Sequence, residues 1–160
     1  MSRLLPIALI TLVLCAASCS DDSCSDNGSS LPLATFYVGD NQQSISALSI
    51  MGIGVPGDSL LADGASINEI YLPLRASTTT TSYALWRPTA DGTATLRDTV
   101  TFTYEPVEFF HSIECGTMYN FDIQHISHTT HGIDSVVLLT PLITNSRTPA
   151  LRIHFTALAP

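Results

Sequence analysis

The sequence predicts an all-β domain, an antiparallel β-sandwich of immunoglobulin-like or related type built from about eight or nine short strands. Three observations point there. Several runs alternate apolar and polar residues with the period of two that a half-buried strand requires. Turn pairs recur between those runs, and no helix-period segment exceeds two turns.

The first expected strands fall near residues 33–38, 45–51, 67–74 and 81–87, each rich in Thr, Val, Ile, Leu or aromatic residues. In residues 99–104, Val100, Phe102 and Tyr104 face one way and Thr99, Thr101 and Thr103 the other. A further strand is expected near 106–113. In residues 119–125, Tyr119, Phe121, Ile123 and His125 share the inward parity. Residues 136–139 are continuously apolar, the pattern of a strand covered on both faces. Leu151, Ile153 and Phe155 close the series, alternating with Arg152, His154 and Thr156. The turns between them are Gly39-Asp40-Asn41, Pro56-Gly57-Asp58, Asp63-Gly64, Asp91-Gly92, His131-Gly132 and Asn145-Ser146. Pro73, Pro106 and Pro141 lack a ladder donor and belong at strand ends, edges or bulges, and Gly52-Ile53-Gly54 reads as a bulge or bend. Trp86 lies between two cysteines, as in immunoglobulin domains, but the first cysteine sits in a polar stretch, so core or rim is its expected place.

The domain is expected over residues 33–160, behind a signal peptide (1–18) and a tether (19–32). Arg3 gives a positive start, residues 4–14 are apolar apart from Thr11, and small residues Ala16, Ala17 and Ser18 lead to Cys19. The apolar run is about 11 residues, short of the roughly 20 that a spanning helix needs. The stretch Leu14-Cys15-Ala16-Ala17-Ser18-Cys19 resembles a bacterial lipobox, except that Ala16 stands where Leu is usual. Lipidation is expected at Cys19, ordinary signal cleavage being the alternative. Cys15 fits less well, because bulky Leu14 precedes it. Ser20-Asp21-Asp22 resembles the surface-export signal of Bacteroidota lipoproteins and equally suits a solvated acidic tether. The tether, SDDSCSDNGSS, has too little apolar surface to offset the entropy of ordering.

Two further thiols remain, Cys24 and Cys115. In an oxidising envelope they are expected to form one disulfide, and closing a loop of roughly 90 residues contributes at most about 4–5 kcal/mol in the chain-entropy picture. A metal pair or reactive thiol is the rival, without CxxC spacing to support it.

Charge excludes one class of partner. The chain has 6 Lys+Arg, all of them Arg, against 14 Asp+Glu, a net charge of -8. That opposes binding to a phosphate backbone, so no nucleic-acid partner is expected. Two constellations could carry chemistry. His125, His128 and His131, with Asp134 beyond, have the donors of a zinc or copper site but lie on a strand running into a Thr-rich turn. Glu105 and Glu108 could flank a sugar as glycosidase carboxylates do, whereas Asp21 and Asp22 belong to the tether. Solvated edge charges and turn residues are the competing readings of both. No GxSxG, GxGxxG or GxxxxGKS motif occurs. Ser77-Thr78-Thr79-Thr80-Thr81-Ser82 reads as a mobile hairpin loop, with a binding loop or glycosylation site as alternatives.

A cysteine in lipoprotein position, Cys24, Ile70-Tyr71-Leu72-Pro73-Leu74, Glu114-Cys115-Gly116 and Gly132-Ile133-Asp134-Ser135-Val136 follow one another in an order that resembles the domain-of-unknown-function family 6452 of small Bacteroidota lipoproteins. The resemblance spans nearly the whole chain after the signal peptide. It implies a β-rich envelope lipoprotein and brings no activity, substrate or catalytic residue. The function expected is therefore a non-enzymatic, lipid-anchored outer-membrane protein, periplasmic or cell-surface facing, that needs no cofactor. Its partners would be the membrane, through Cys19, and an envelope protein or glycan. The alternative is a hydrolase or metal-dependent envelope enzyme using the His125/His128/His131 turn or Glu105/Glu108.

Overall fold

A computed structural model describes residues 30–54, 60–113 and 115–158, and every regular element among them is a strand. The strands are β1 (Leu33–Val38), β2 (Asn41–Gln42), β3 (Ile45–Ile53), β4 (Leu60–Ile67), β5 (Glu69–Tyr71), β6 (Thr80–Pro88), β7 (Thr95–Ser112), β8 (Gly116–His128), β9 (Ile133–Leu138), β10 (Leu142–Ile143) and β11 (Pro149–Phe155). They form two sheets. One has the order β2-β1-β11-β9 with β5 also paired to β1; the other runs β10-β8-β7-β6-β3-β4. The fold is thus all-β and sandwich-like, as the alternation predicts.

The inward parities hold in 99–104 and 151–155, and in 119–125 as far as Ile123. Val100, Phe102 and Tyr104 of β7, Phe121 and Ile123 of β8, and Leu151, Ile153 and Phe155 of β11 are buried in one core. Phe36, Leu48, Ile50, Leu85 and Ile133 complete its centre. At roughly 1.5–3 kcal/mol per large buried side chain, this shared core is the main force holding the two sheets face to face.

Several expectations are corrected by register. The first and last strands, β1 and β11, pair parallel, so the sandwich is not wholly antiparallel. The strand expected near 106–113 is not a separate one: β7 runs on through Pro106, opposite Phe121, and the proline lies on an edge, as its missing donor requires. The reason is the end of β6, whose last pair is Thr80 with Thr103. Tyr104 sends its N–H to the β6 side, to the Thr79 carbonyl. Two residues on, position 106 would point a donor at empty space, so proline loses nothing there.

Asp63-Gly64 is not a hairpin turn but a bulge within β4, where Gly64 adopts φ 57 and donates its N–H to Ser49 Oγ at 2.9 Å. A second bulge in β3 brings Ile45 and Leu48, three apart in sequence, to the same buried face, with Ala47 at φ 53. The continuous apolar run 136–139 is not covered on both faces. Strand β9 is the edge of its sheet, and Val137 (43%) and Leu139 (41%) remain exposed. Trp86 is half-buried at the rim of β6, under the Arg97 guanidinium, with 5.2 Å from that carbon to the ring centre.

Candidate functional site

Two places gather polar chemistry, and the larger is the β7–β9 end of the sandwich. Asp98 keeps the inward parity of Val100 and Phe102 and is only 3% exposed. Its carboxylate is saturated with donors. Oδ1 accepts from Thr129 Oγ1 (2.7 Å), the His131 N–H (2.7 Å) and His131 Nδ1 (3.1 Å); Oδ2 accepts from the N–H groups of Gly132 (2.6 Å) and Ile133 (2.9 Å). Burial alone would raise this carboxyl's pKa, but the hydrogen bonds from His131, Thr129, Gly132 and Ile133 outweigh it and hold the pKa below the usual carboxylate value. Gly132 sits in tight space. A Cβ there would lie 3.1 Å from Leu96 Cβ and 3.4 Å from Asp98 Oδ2. Beside this cluster Arg87, also buried, donates to the Thr156 carbonyl at 2.5 Å and lies over the Phe155 ring. Burial lowers its pKa, against the opposing pull of Asp98.

This arrangement accounts for the histidine series. His131 is engaged with Asp98 as part of the staple between β7 and the β8–β9 turn. His128 pairs with Val100, and His125 with Thr103. The inward parity expected of His125 fails because β8 carries a bulge at Gln124: Tyr104 pairs with Ile123, but Thr103 pairs with His125. The extra residue turns His125 to solvent and brings Ile126 against the core. Asp134 is exposed. No group of three or more His, Cys, Asp or Glu among the described residues is placed to hold a metal ion.

The paired carboxylates fare similarly. Glu105 and Glu108 are an odd number of residues apart in β7, so they project to opposite faces of the strand. Glu108 accepts a hydrogen bond from the Tyr119 hydroxyl at 2.9 Å, which raises the phenol's pKa, the facing charge adding to the effect. Glu105 is instead paired across the ladder with Asp122.

The second polar centre was not foreseen. The buried Tyr104 hydroxyl donates to the Arg75 carbonyl (2.9 Å) and accepts from the Arg75 N–H (3.0 Å), with Thr81 Oγ1 at 2.7 Å and Thr78 Oγ1 at 3.3 Å. Tyr83 donates to the Pro73 carbonyl, and burial raises its pKa above the usual phenol value. The hydroxyl-rich run is therefore pinned at Thr78 and Thr81, and Thr80, Thr81 and Ser82 belong to β6. What sequence could offer was an inward-facing Tyr and a nearby run of hydroxyls, but nothing joining them.

Beyond Pro106, where β10 no longer flanks β8, β7 and β8 continue as a two-stranded arm, and Cys115, Met118 and Tyr119 share a cavity with Leu31, Leu74 and Ala76. Phe110 is 68% exposed and Ile113 90%. The chain enters the described structure alongside this arm: Ser30 is buried and its hydroxyl donates to Asn120 Oδ1 at 2.8 Å. Cys115 sits in the arm's terminal turn, its N–H donated to Ser112 Oγ at 3.1 Å. Cys19 and Cys24 lie outside the described residues, as do the signal peptide and most of the tether.

A family model described as a family of unknown function, DUF6452, matches residues 47–155. The chain belongs to this family. The DUF6452 span runs from within β3 to the last residue of β11, so it takes in Asp98, Tyr104 and the arm. It stops short of β1, β2 and Cys24, and so covers less of the chain than the resemblance suggested. No curated protein and no solved structure matches this DUF6452 chain.

Proposed function

We propose that this protein is a lipid-anchored component of a bacterial cell envelope whose β-sandwich binds or supports a partner and performs no catalysis. The observation that carries the reading is the sequence at its start: an apolar run too short to span a bilayer, small residues, and Cys19 ahead of a polar tether. Among the described residues no helix is long and apolar enough to cross a membrane. An acyl-modified Cys19 would supply attachment, two or more chains being needed for stable anchoring. The membership in Bacteroidota lipoproteins, the outer-membrane address and the Cys24–Cys115 bridge are parts of the same proposal. What supports the bridge is the pair of thiols left after Cys19 in an oxidising compartment, with Cys115 in the arm's terminal turn.

The enzymatic alternative finds no support in the geometry. Asp98 and His131 are engaged in the turn staple, His125 faces solvent, and Glu105 and Glu108 diverge. The partner class is an envelope protein or glycan, since the net charge of -8 disfavours anionic polymers. Metabolic labelling with a fatty-acid probe is expected to mark the protein, and Cys19→Ala to release it from membranes. Undiminished membrane retention and no label in the wild type would overturn the reading.

A further inference from the structure

We propose that the tip of the β7–β8 arm, with Phe110 and Ile113 outermost, is seated in the interfacial layer of the bilayer that carries the acylated Cys19. The inference rests on the lipid-anchored reading above and adds an orientation and a second membrane contact to it. Large apolar side chains elsewhere in the described surface are at most 45% exposed, whereas Phe110 and Ile113 reach 68% and 90%. They are also at the end of a projection. Strand β6 stops at Thr80, opposite Thr103, so the ladder from Glu105 to Ser112 has a partner on the β8 side and none on the other among the described residues.

The sequence of the tip suits a lipid surface. Residues 109–113, Phe-Phe-His-Ser-Ile, carry no Asp, Glu, Lys or Arg, and are bounded by Glu108 and Glu114. Those carboxylates limit entry to the headgroup and upper acyl region, where aromatic rings are favoured. No Arg lies between positions 97 and 147, so the arm has no cationic side chain with which to attract anionic headgroups. The contact is therefore apolar, with a zwitterionic membrane as its natural surface.

The entry of the chain names the occupant. Ser30 is hydrogen-bonded to Asn120, which pairs with Val107 in the arm. Cys19 precedes Ser30 by 11 positions in the sequence, a length that spans at most about 40 Å when extended. Acyl chains on Cys19 are thus held within about 40 Å of the base of the arm. A second copy of the chain is the competing occupant.

The test uses the full lipoprotein, purified with its acyl groups and reconstituted in phosphatidylethanolamine–phosphatidylcholine vesicles. The single Trp86 is an internal reference. It pairs with Arg97, and from there to Phe110 the strand runs about 40 Å at 3.3 Å per residue. In wild type, brominated lipids should leave Trp86 emission unchanged. In Phe110→Trp, an exposed site where folding is not at risk, the added emission should shift to the blue, lose intensity with brominated lipids and resist aqueous iodide. Full quenching of the added tryptophan by iodide, in protein that floats with vesicles, overturns the tip contact and leaves the anchor standing. Resistance to both quenchers would mean burial against protein, and quenching of Trp86 itself would mean that the body lies flat; each overturns the proposal. Failure of wild-type protein to float removes the anchor and the tip contact together.

Discussion

Asp98 shows how one residue can take over the chemistry that a neighbouring motif seems to offer. An HxxHxxH series invites a metal, yet the described geometry uses His131 and the following backbone amides to neutralise a buried carboxylate. Five hydrogen bonds converge on that group, three of them from the successive amides of His131, Gly132 and Ile133. Asp98→Asn would turn an amide N–H toward at least one of these donors. The expected loss is about 3 kcal/mol, since each buried donor left unpaired costs roughly 1–3 kcal/mol, measured as a shift in the urea midpoint. The pH dependence has a definite sign. Because the folded pKa lies below the unfolded value, Asp98 contributes its full stabilisation above the ordinary carboxylate range of about 3.9. That contribution fades as pH falls through the folded value. The asparagine variant should therefore lose less stability than wild type on acidification from pH 5 to pH 2. Parallel acid limbs for the two proteins would remove Asp98 from this role.

At the scale of strands, alternation in sequence located the core and missed the irregularities. Val100, Phe102 and Tyr104 were legible because β7 is regular there and one face is buried. Parity through His125 was not, since a bulge depends on the partner strand's register, which one strand's sequence does not record. Pro106 belonged at an end, an edge or a bulge, and which of these it takes depends on where the neighbouring strand stops. The apolar run 136–139 looked like a central strand, but only sheet order reveals an edge. Asp63-Gly64 carried a turn's chemistry and served a bulge, a conformation that also favours glycine at positive φ. The Gln124 bulge can be tested directly. Deleting Gln124 makes the ladder regular, with Ile123, His125 and Ile126 still opposite Tyr104, Thr103 and Phe102. The expected cost is no more than about 1 kcal/mol, the ordinary scale for a point change away from the core. If His125 instead faced inward through an unbroken alternation, the same deletion would reverse the parity of every residue beyond it and cost several times as much.

For the molecule as a whole, the parallel pairing of β1 with β11 decides which piece of the chain can fold. The family span starts at Ala47 and omits β1, yet β1 is the most connected strand of its sheet, bonded to β2, β5 and β11. It contributes Ala34 and Phe36, both fully buried, with Phe36 packed edge-on against Phe155 at 5.6 Å between ring centres. Its removal would strip the parallel ladder from β11 and leave β5 without its partner. Phe36 alone accounts for roughly 1.5–3 kcal/mol of burial, and the net stability of a domain is only about 5–15 kcal/mol. A polypeptide of residues 47–160 is therefore expected to lack a cooperative thermal transition and dispersed amide resonances. Adding a synthetic peptide of residues 30–44 should restore both, because a parallel ladder and an apolar slot would be waiting for it. A cooperative melt from residues 47–160 alone would mean that β1 is an accessory to the sandwich and that the matched family span already contains a complete core.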